Sequence, residues 1–168
     1  MLAPTPPMGW NSWNTFGGKL DAKLVMETAD AFVDEGLKDV GYEYVVMDDI
    51  WEADERVDGK LVPDADKFPD GIKPVADYVH SKGLKFGIYS CAGSYTCAGK
   101  PASYGYEEAD AQTFADWGVD FLKYDFCYVP PGTDGPMLYR RMGQALRATG
   151  RPIIFSLCEW GKHEPWSW

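Results

Sequence analysis

Short apolar runs with strand-like spacing alternate along this chain with segments whose apolar positions recur every three to four residues. YEYVVMDDIW reads as a strand, and GIKPVADYVHSKG follows it with Ile72, Val75 and Val79 at helical spacing and a stop at Gly83. LKFGIYSCAG predicts the next strand, and YEEADAQTFADWG the next helix, with Ala111, Phe114 and Ala115 on one face. VDFLKYDFC, then GPMLYRRMGQALRATG ended by Gly150, then RPIIFSLCEW, repeat the unit. Ahead of them MGWNSWN predicts a first strand with its loop, and residues 21–35 predict a helix with Asp21 as N-cap and Gly36 as C-cap.

Strands alternating with helices of this length imply an α/β fold with a parallel sheet and right-handed crossovers. A doubly wound sheet usually announces its ligand through a glycine-rich first turn, and neither GxGxxG nor GxxxxGK[ST] occurs here. A (β/α)8 TIM barrel instead gathers its chemistry at the C-terminal ends of several strands. Those ends carry Trp10 and Trp13, Asp48 and Asp49, Tyr89, Lys123 and Asp125, and Glu159, which favours the barrel. A complete barrel takes about 250 residues. Residues 1–168, with five strands and four helices, are therefore expected to be the N-terminal portion of one such domain, incomplete by itself. Five parallel strands cannot close, so unpaired edges leave room for self-association into a homo-oligomer.

Composition narrows the partners. With 45% hydrophobic and 15% aromatic residues the chain can bury a core. A formal net charge of −10, with no basic stripe, argues against nucleic acid and favours a neutral or cationic small molecule. No apolar run approaches the roughly 20 residues of a membrane helix. MLAPTPPMGW lacks the basic start and apolar centre of a signal peptide, so the expectation is a soluble protein whose compartment is left open. Cys91, Cys97, Cys127 and Cys158 follow no zinc spacing and His80 and His163 lie far apart, so neither a metal nor a cofactor is expected. Buried free thiols are the ordinary reading of the cysteines, with a Cys97–Cys127 bridge left open.

Two charged residues near the end of an otherwise apolar strand are the sharpest signal. Residues two apart on a strand face the same side, so Lys123 and Asp125 point together toward the barrel mouth and Tyr124 toward the helices. A buried ion pair is a poor source of stability compared with apolar packing. A working carboxylate beside a cation that favours its ionised form explains the pattern better.

The blocks PPMGWNSWN, MDDIW, GIYS, CAGKPASYGYEEADAQTFADWGVDFLKYDFC and CEWG, in this order, resemble the successive motifs of the α-galactosidases of glycoside hydrolase family 27. That resemblance implies a retaining hydrolase that removes terminal α-linked galactose by double displacement. It implies Asp125 as the nucleophile, Lys123, Asp48 and Asp49 as ligands of sugar hydroxyls, and Trp13 as an aromatic wall. It further implies Tyr89 as a lining residue near the nucleophile, Glu159 as a carboxylate on a ring hydroxyl, and a Cys97–Cys127 disulfide beside the pocket, with Cys97 against the substrate. The family's general acid/base has no counterpart within the chain, so it is expected on a later strand, and the isolated chain is expected to turn over little substrate.

Each residue also has a plainer reading. Adjacent Asp48 and Asp49 point to opposite sides of an ideal strand, so one of them caps a loop on that view. Trp10 reads as core rather than sugar wall, and Glu159 as a surface partner of Lys162. The acids of ADERVDG and VPDADKFPDG read as solvated loop charges. Ile50 departs from the Cys or Gly of many relatives, which opens the alternatives of an α-N-acetylgalactosaminidase or a β-L-arabinopyranosidase. Outside this chemistry stand a Schiff-base aldolase using Lys123 and a non-catalytic sugar-binding fragment.

Overall fold

The computed structural model describes residues 2–168; Met1, the first residue of the segment read for an export signal, lies outside them. Strands β1 (Gly9–Asn11), β2 (Tyr44–Val46), β3 (Lys85–Cys91), β4 (Phe121–Asp125) and β5 (Ile154–Cys158) lie side by side in chain order. Every neighbouring pair is parallel. The helices are α1 (Trp13–Phe16), α2 (Ala22–Asp34), α3 (Lys73–Ser81), α4 (Glu107–Asp116) and α5 (Gly135–Ala148). The result is half of a (β/α)8 barrel, as the strand and helix rhythm predicts. The single turn α1 is an addition to the four helices expected. In α2 the Asp21 carboxylate accepts from Leu24 N at 2.7 Å, whereas Glu35, rather than Gly36, is the C-cap residue and Gly36 follows it at φ +71°.

The core lies between the sheet and the helices. Val45, Phe86, Ile88, Leu122 and Tyr124 leave the sheet on its outer face and are buried. They meet Val25, Ala29 and Phe32 of α2, Val75 and Val79 of α3, Phe114 of α4 and Leu138 and Met142 of α5 in one cluster. Each of the Val, Leu, Ile, Phe and Met side chains among them contributes about 1.5–3 kcal/mol by leaving water. The concave face carries the alternate residues, and Gly87 is one of them because a Cβ there would lie 2.6 Å from Val46 Cγ2. Strand parity thus settles which residues are structural and which face the open side. Among the described residues no helix is long and apolar enough to cross a membrane.

Candidate active site

The polar groups singled out from sequence sit at the C-terminal ends of β2, β3, β4 and β5. Register places Tyr89 beside Lys123, and Asp125 between Cys91 and Cys158. Asp125 is only 6% exposed. Its Oδ2 accepts from Tyr89 Oη at 3.0 Å and its Oδ1 from Phe126 N at 2.8 Å. Burial first, then the negative charges of Asp49 and Asp125, raise the Tyr89 phenol far above its ordinary pKa. Tyr89 therefore stays a donor to the carboxylate, and each Asp125 oxygen keeps a lone pair free.

Lys123 does not neutralise Asp125. Its ammonium pairs with Asp48 Oδ2 at 2.7 Å and lies 5.1 Å from the centre of the Tyr89 ring. The expectation of a cation held on Asp125 is corrected: parity turns both groups to the same face, but the last turn of chain after β2 brings Asp48 to the lysine first. Asn11 Nδ2 donates to the same Asp48 oxygen at 2.7 Å, and Asp48 N donates to Ser12 Oγ. Asn11 and Ser12 had no role assigned from sequence. The signal was available, since Asn11 shares the parity of Gly9 and hence the concave face.

Asp48 and Asp49 lie beyond the end of β2 and do different work. The Asp49 carboxylate accepts from Ile50 N at 2.8 Å and from Ala98 N at 2.9 Å, so it holds the loop after β3 in place. Burial is the main reason that its pKa is raised. Ile50 itself adopts φ +74°, a conformation that a β-branched residue rarely takes. Trp13 is 38% exposed and lines, with Asn11, Tyr44, Phe121, Lys123 and Ser156, a hollow of about 390 Å³ on the concave face. Trp10 packs against the core and touches Phe16 edge-on, while also bordering that hollow. A larger hollow, about 740 Å³, lies outside the sheet between α4 and α5 and includes none of the predicted site residues.

Cys97 and Cys127 are joined in a disulfide with Cα atoms 5.1 Å apart. Their sulfurs and an Asp125 oxygen lie within 4.8 Å of one another. Because both sulfurs are spent in the bridge, this donor set suits a carboxylate beside a rigid staple rather than a thiolate metal centre. Free Cys91 accepts from Cys127 N at 3.0 Å, and burial pushes its thiol up to about 12, so it packs as a neutral group. Glu159 is buried and turns to His163, whose backbone N and ring Nδ1 both lie 2.9 Å from Oε2. Lys162, its expected surface partner, stacks on Trp160 instead, at 4.4 Å.

Glu52, given no role from sequence, is fully buried, and among the described residues neither of its carboxylate oxygens has a hydrogen-bond partner. Burial, and next the Asp49 charge, raise its pKa well above the usual carboxyl range. For an acid with a raised folded pKa, the penalty is small below its unfolded pKa, near 4.3, and grows as pH rises through the folded value. Glu52→Met is accordingly expected to stabilise the fold by about 1–3 kcal/mol at neutral pH. Urea titrations at pH 4.5 and pH 8 should show the gain shrinking toward acid. A destabilised variant, or a gain independent of pH, would show that Glu52 has a partner.

Known proteins resemble this chain in sequence and in fold. The chain is 55% identical over 172 residues to an α-galactosidase of Coffea arabica, covering 99% of this chain and 44% of that one. It superposes on the α-galactosidase of Saccharomyces cerevisiae solved with raffinose at TM-score 0.93 and 48% identity, covering 98% of this chain and 37% of the other. A GH27 β-L-arabinopyranosidase from Geobacillus stearothermophilus matches at TM-score 0.80 and 28% identity, over 94% of this chain and 49% of that one. The chain thus spans less than half the length of each of these relatives. A match to the Melibiase_2 model, alpha galactosidase A, runs from residue 5 to residue 167, and this chain belongs to that family.

Proposed function

We propose that the protein carrying this chain is a retaining α-galactosidase, with residues 1–168 forming the first part of a single (β/α)8 catalytic domain. The observation that carries the reading is Asp125: a nearly buried carboxylate at the end of β4, oriented by Tyr89 Oη and its own loop amide, beside the Cys97–Cys127 staple. A retaining glycosidase needs two carboxyl groups about 5 Å apart, one as nucleophile and one as general acid and then base. Asp125 attacks the anomeric carbon, the glycosidic C–O bond breaks, and water later releases the sugar from the ester with the second carboxyl as base. Asp48 is engaged by Lys123 and Asn11, Asp49 by two backbone amides, and Glu159 by His163. By resemblance to the family the proton-donating carboxyl belongs to a later strand, and the isolated 168 residues are expected to turn over little substrate.

Lys123, Asp48 and Trp13 offer hydroxyl ligands and an aromatic surface for the galactose ring, with Asp49, Tyr89, Cys97 and Glu159 around them. Galactose is favoured over L-arabinopyranose by the higher identity to α-galactosidases than to the arabinopyranosidase. Raffinose-type oligosaccharides are the natural substrate class to try, given the yeast relative's complex. The test compares turnover of the 4-nitrophenyl α-D-galactoside, α-N-acetylgalactosaminide and β-L-arabinopyranoside, with NMR of the first-formed sugar. The α-galactoside is expected to be preferred and α-galactose to appear first. β-Galactose as the first product would rule out retention, and preference for another glycoside would replace the specificity.

A further inference from the structure

We propose that Asn11 is a positioning residue for the sugar site, a single amide that fixes both the hydroxyl-binding carboxylate of Asp48 and the aromatic wall of Trp13; this rests on the glycosidase reading above. Its Nδ2 donates to Asp48 Oδ2 at 2.7 Å, and its Oδ1 accepts from Trp13 N at 3.0 Å. Asn11 also lines the hollow on the concave face, together with Trp13 and Lys123. No step of the reaction described above uses it.

The Asp48 end of this bridge decides which acceptor positions are left for a ligand. Each carboxylate oxygen has two. On Oδ2 both are filled, by Lys123 Nζ and Asn11 Nδ2 at 2.7 Å each, whereas on Oδ1 one is filled, by Asp49 N at 2.9 Å. One position on Oδ1 is left for a sugar hydroxyl. With Lys123 as its only side-chain partner the carboxylate could turn and follow the flexible four-carbon stem of the lysine. The short Asn11 side chain, carried on β1, stops that rotation.

The Trp13 end depends on the same amide. Trp13 opens α1, a single turn of four residues with no buried side chain, and the Ser12 side chain before it gives no cap. So short a helix has no stability of its own. Asn11 Oδ1 supplies the missing acceptor at Trp13 N, as an Asx-turn. β1 does not need the Asn11 side chain for its own place in the sheet: its backbone pairs with β2, Ser12 N donates to Val46 O at 3.2 Å, and Ser12 Oγ accepts from Asp48 N at 2.9 Å. What the side chain adds is a fixed separation between the aromatic wall and the carboxylate, the two groups that the reading above gives to the galactose ring.

The experiment uses the full protein that carries this chain, as wild type, as Asn11→Ser and as Asn11→Asp, with 4-nitrophenyl α-D-galactoside at pH 7.5 and pH 4.5. Serine keeps an acceptor for Trp13 N but cannot reach Asp48. Asn11→Ser is expected to raise KM roughly 10- to 100-fold with kcat within about threefold, the scale of losing one hydrogen bond to a charged group that binds substrate and transition state alike. Asn11→Asp also keeps the acceptor, but it sets a second carboxylate against Asp48. Among the described residues that line the hollow Lys123 is the one charged group, and it faces the pair from β4. At pH 7.5 the two carboxylates repel, and Asn11→Asp should lose more kcat/KM than Asn11→Ser. At pH 4.5 the pair shares a proton, the introduced O–H can donate to Asp48, and the activity relative to wild type at that pH should recover by about fivefold or more. A wild-type KM in Asn11→Ser overturns the proposal, as does an Asn11→Asp deficit that is the same at both pH values. An Asn11→Ser protein that does not fold also overturns it, because Asn11 is then part of the scaffold. A wild type that leaves the α-galactoside uncleaved is a different result: it overturns the glycosidase reading and takes this role with it.

Discussion

Asp125→Gly in the full protein is expected to lower kcat/KM for an aryl α-galactoside by about 10⁴-fold or more, on the scale of removing a covalent nucleophile. The vacated space lies beside Tyr89 Oη and Phe126 N, two donors already aimed at a negative charge. An external azide ion is expected to enter it, attack the anomeric carbon of an activated galactoside and leave as β-galactosyl azide. A galactose-configured cyclophellitol-type probe should likewise add its mass to the wild type at the peptide containing Asp125 and not to the variant. Lys123→Ala offers the contrast, because Lys123 pairs with Asp48: it should raise KM while leaving probe attachment at Asp125. Less than a tenfold loss in Asp125→Gly, or an α-configured azide, would falsify the nucleophile assignment.

How far such a site can be read from sequence depends on the range of the interactions that build it. Strand parity is local, and it put Lys123 and Asp125 on one face and Tyr124 toward the helices; in the structure Tyr124 is on the outer face, packed on Tyr139 and Phe155. Helix N-caps are local too, and Asp21 caps α2 as its position before an amphipathic run predicts. The pairings were less legible. Lys123 finds Asp48 across 75 residues and Asp49 finds Ala98 across 49, and neither contact follows from periodicity. The plainer reading of Glu159 as a partner of Lys162 failed for a different reason: Lys162 and His163 are both near in sequence, and only the turn after β5 decides which reaches the carboxylate. The Cys97–Cys127 bridge was open on spacing and implied only by resemblance, because nothing local signals that two loops 30 residues apart will meet.

The charged stretch ADERVDG shows the same limit from the other side, and it supplies the largest stability effect. Its acids are solvated as read, with the Asp54 side chain 91% exposed, but Arg56 in their midst is not. Its guanidinium forks onto the fully buried Asp110 at 2.8 and 2.6 Å, donates to Gly59 O and Ala102 O, and stacks on Tyr106 at 4.0 Å. One side chain thus joins the loop after β2, the loop after β3 and α4. Arg56→Ala leaves the Asp110 charge buried without its cation, and the expected loss is about 3–5 kcal/mol at neutral pH. Arg56→Lys should recover only part of this, since an ammonium cannot reproduce the fork. Burial already raises the Asp110 pKa, with the Arg56 hydrogen bond and charge opposing it. Removing Arg56 leaves burial less opposed, so the folded pKa climbs further above the unfolded one. Stability is then lost as pH rises through that window and regained as Asp110 takes up a proton in acid. Denaturant titrations at pH 4.5 and 7.5 should therefore give a smaller loss for Arg56→Ala at the lower pH, and Arg56→Leu/Asp110→Leu should lie nearer wild type than Arg56→Ala alone. Equal losses at both pH values would mean that the packing of Arg56 on Tyr106 carries the effect, and that its charge does not.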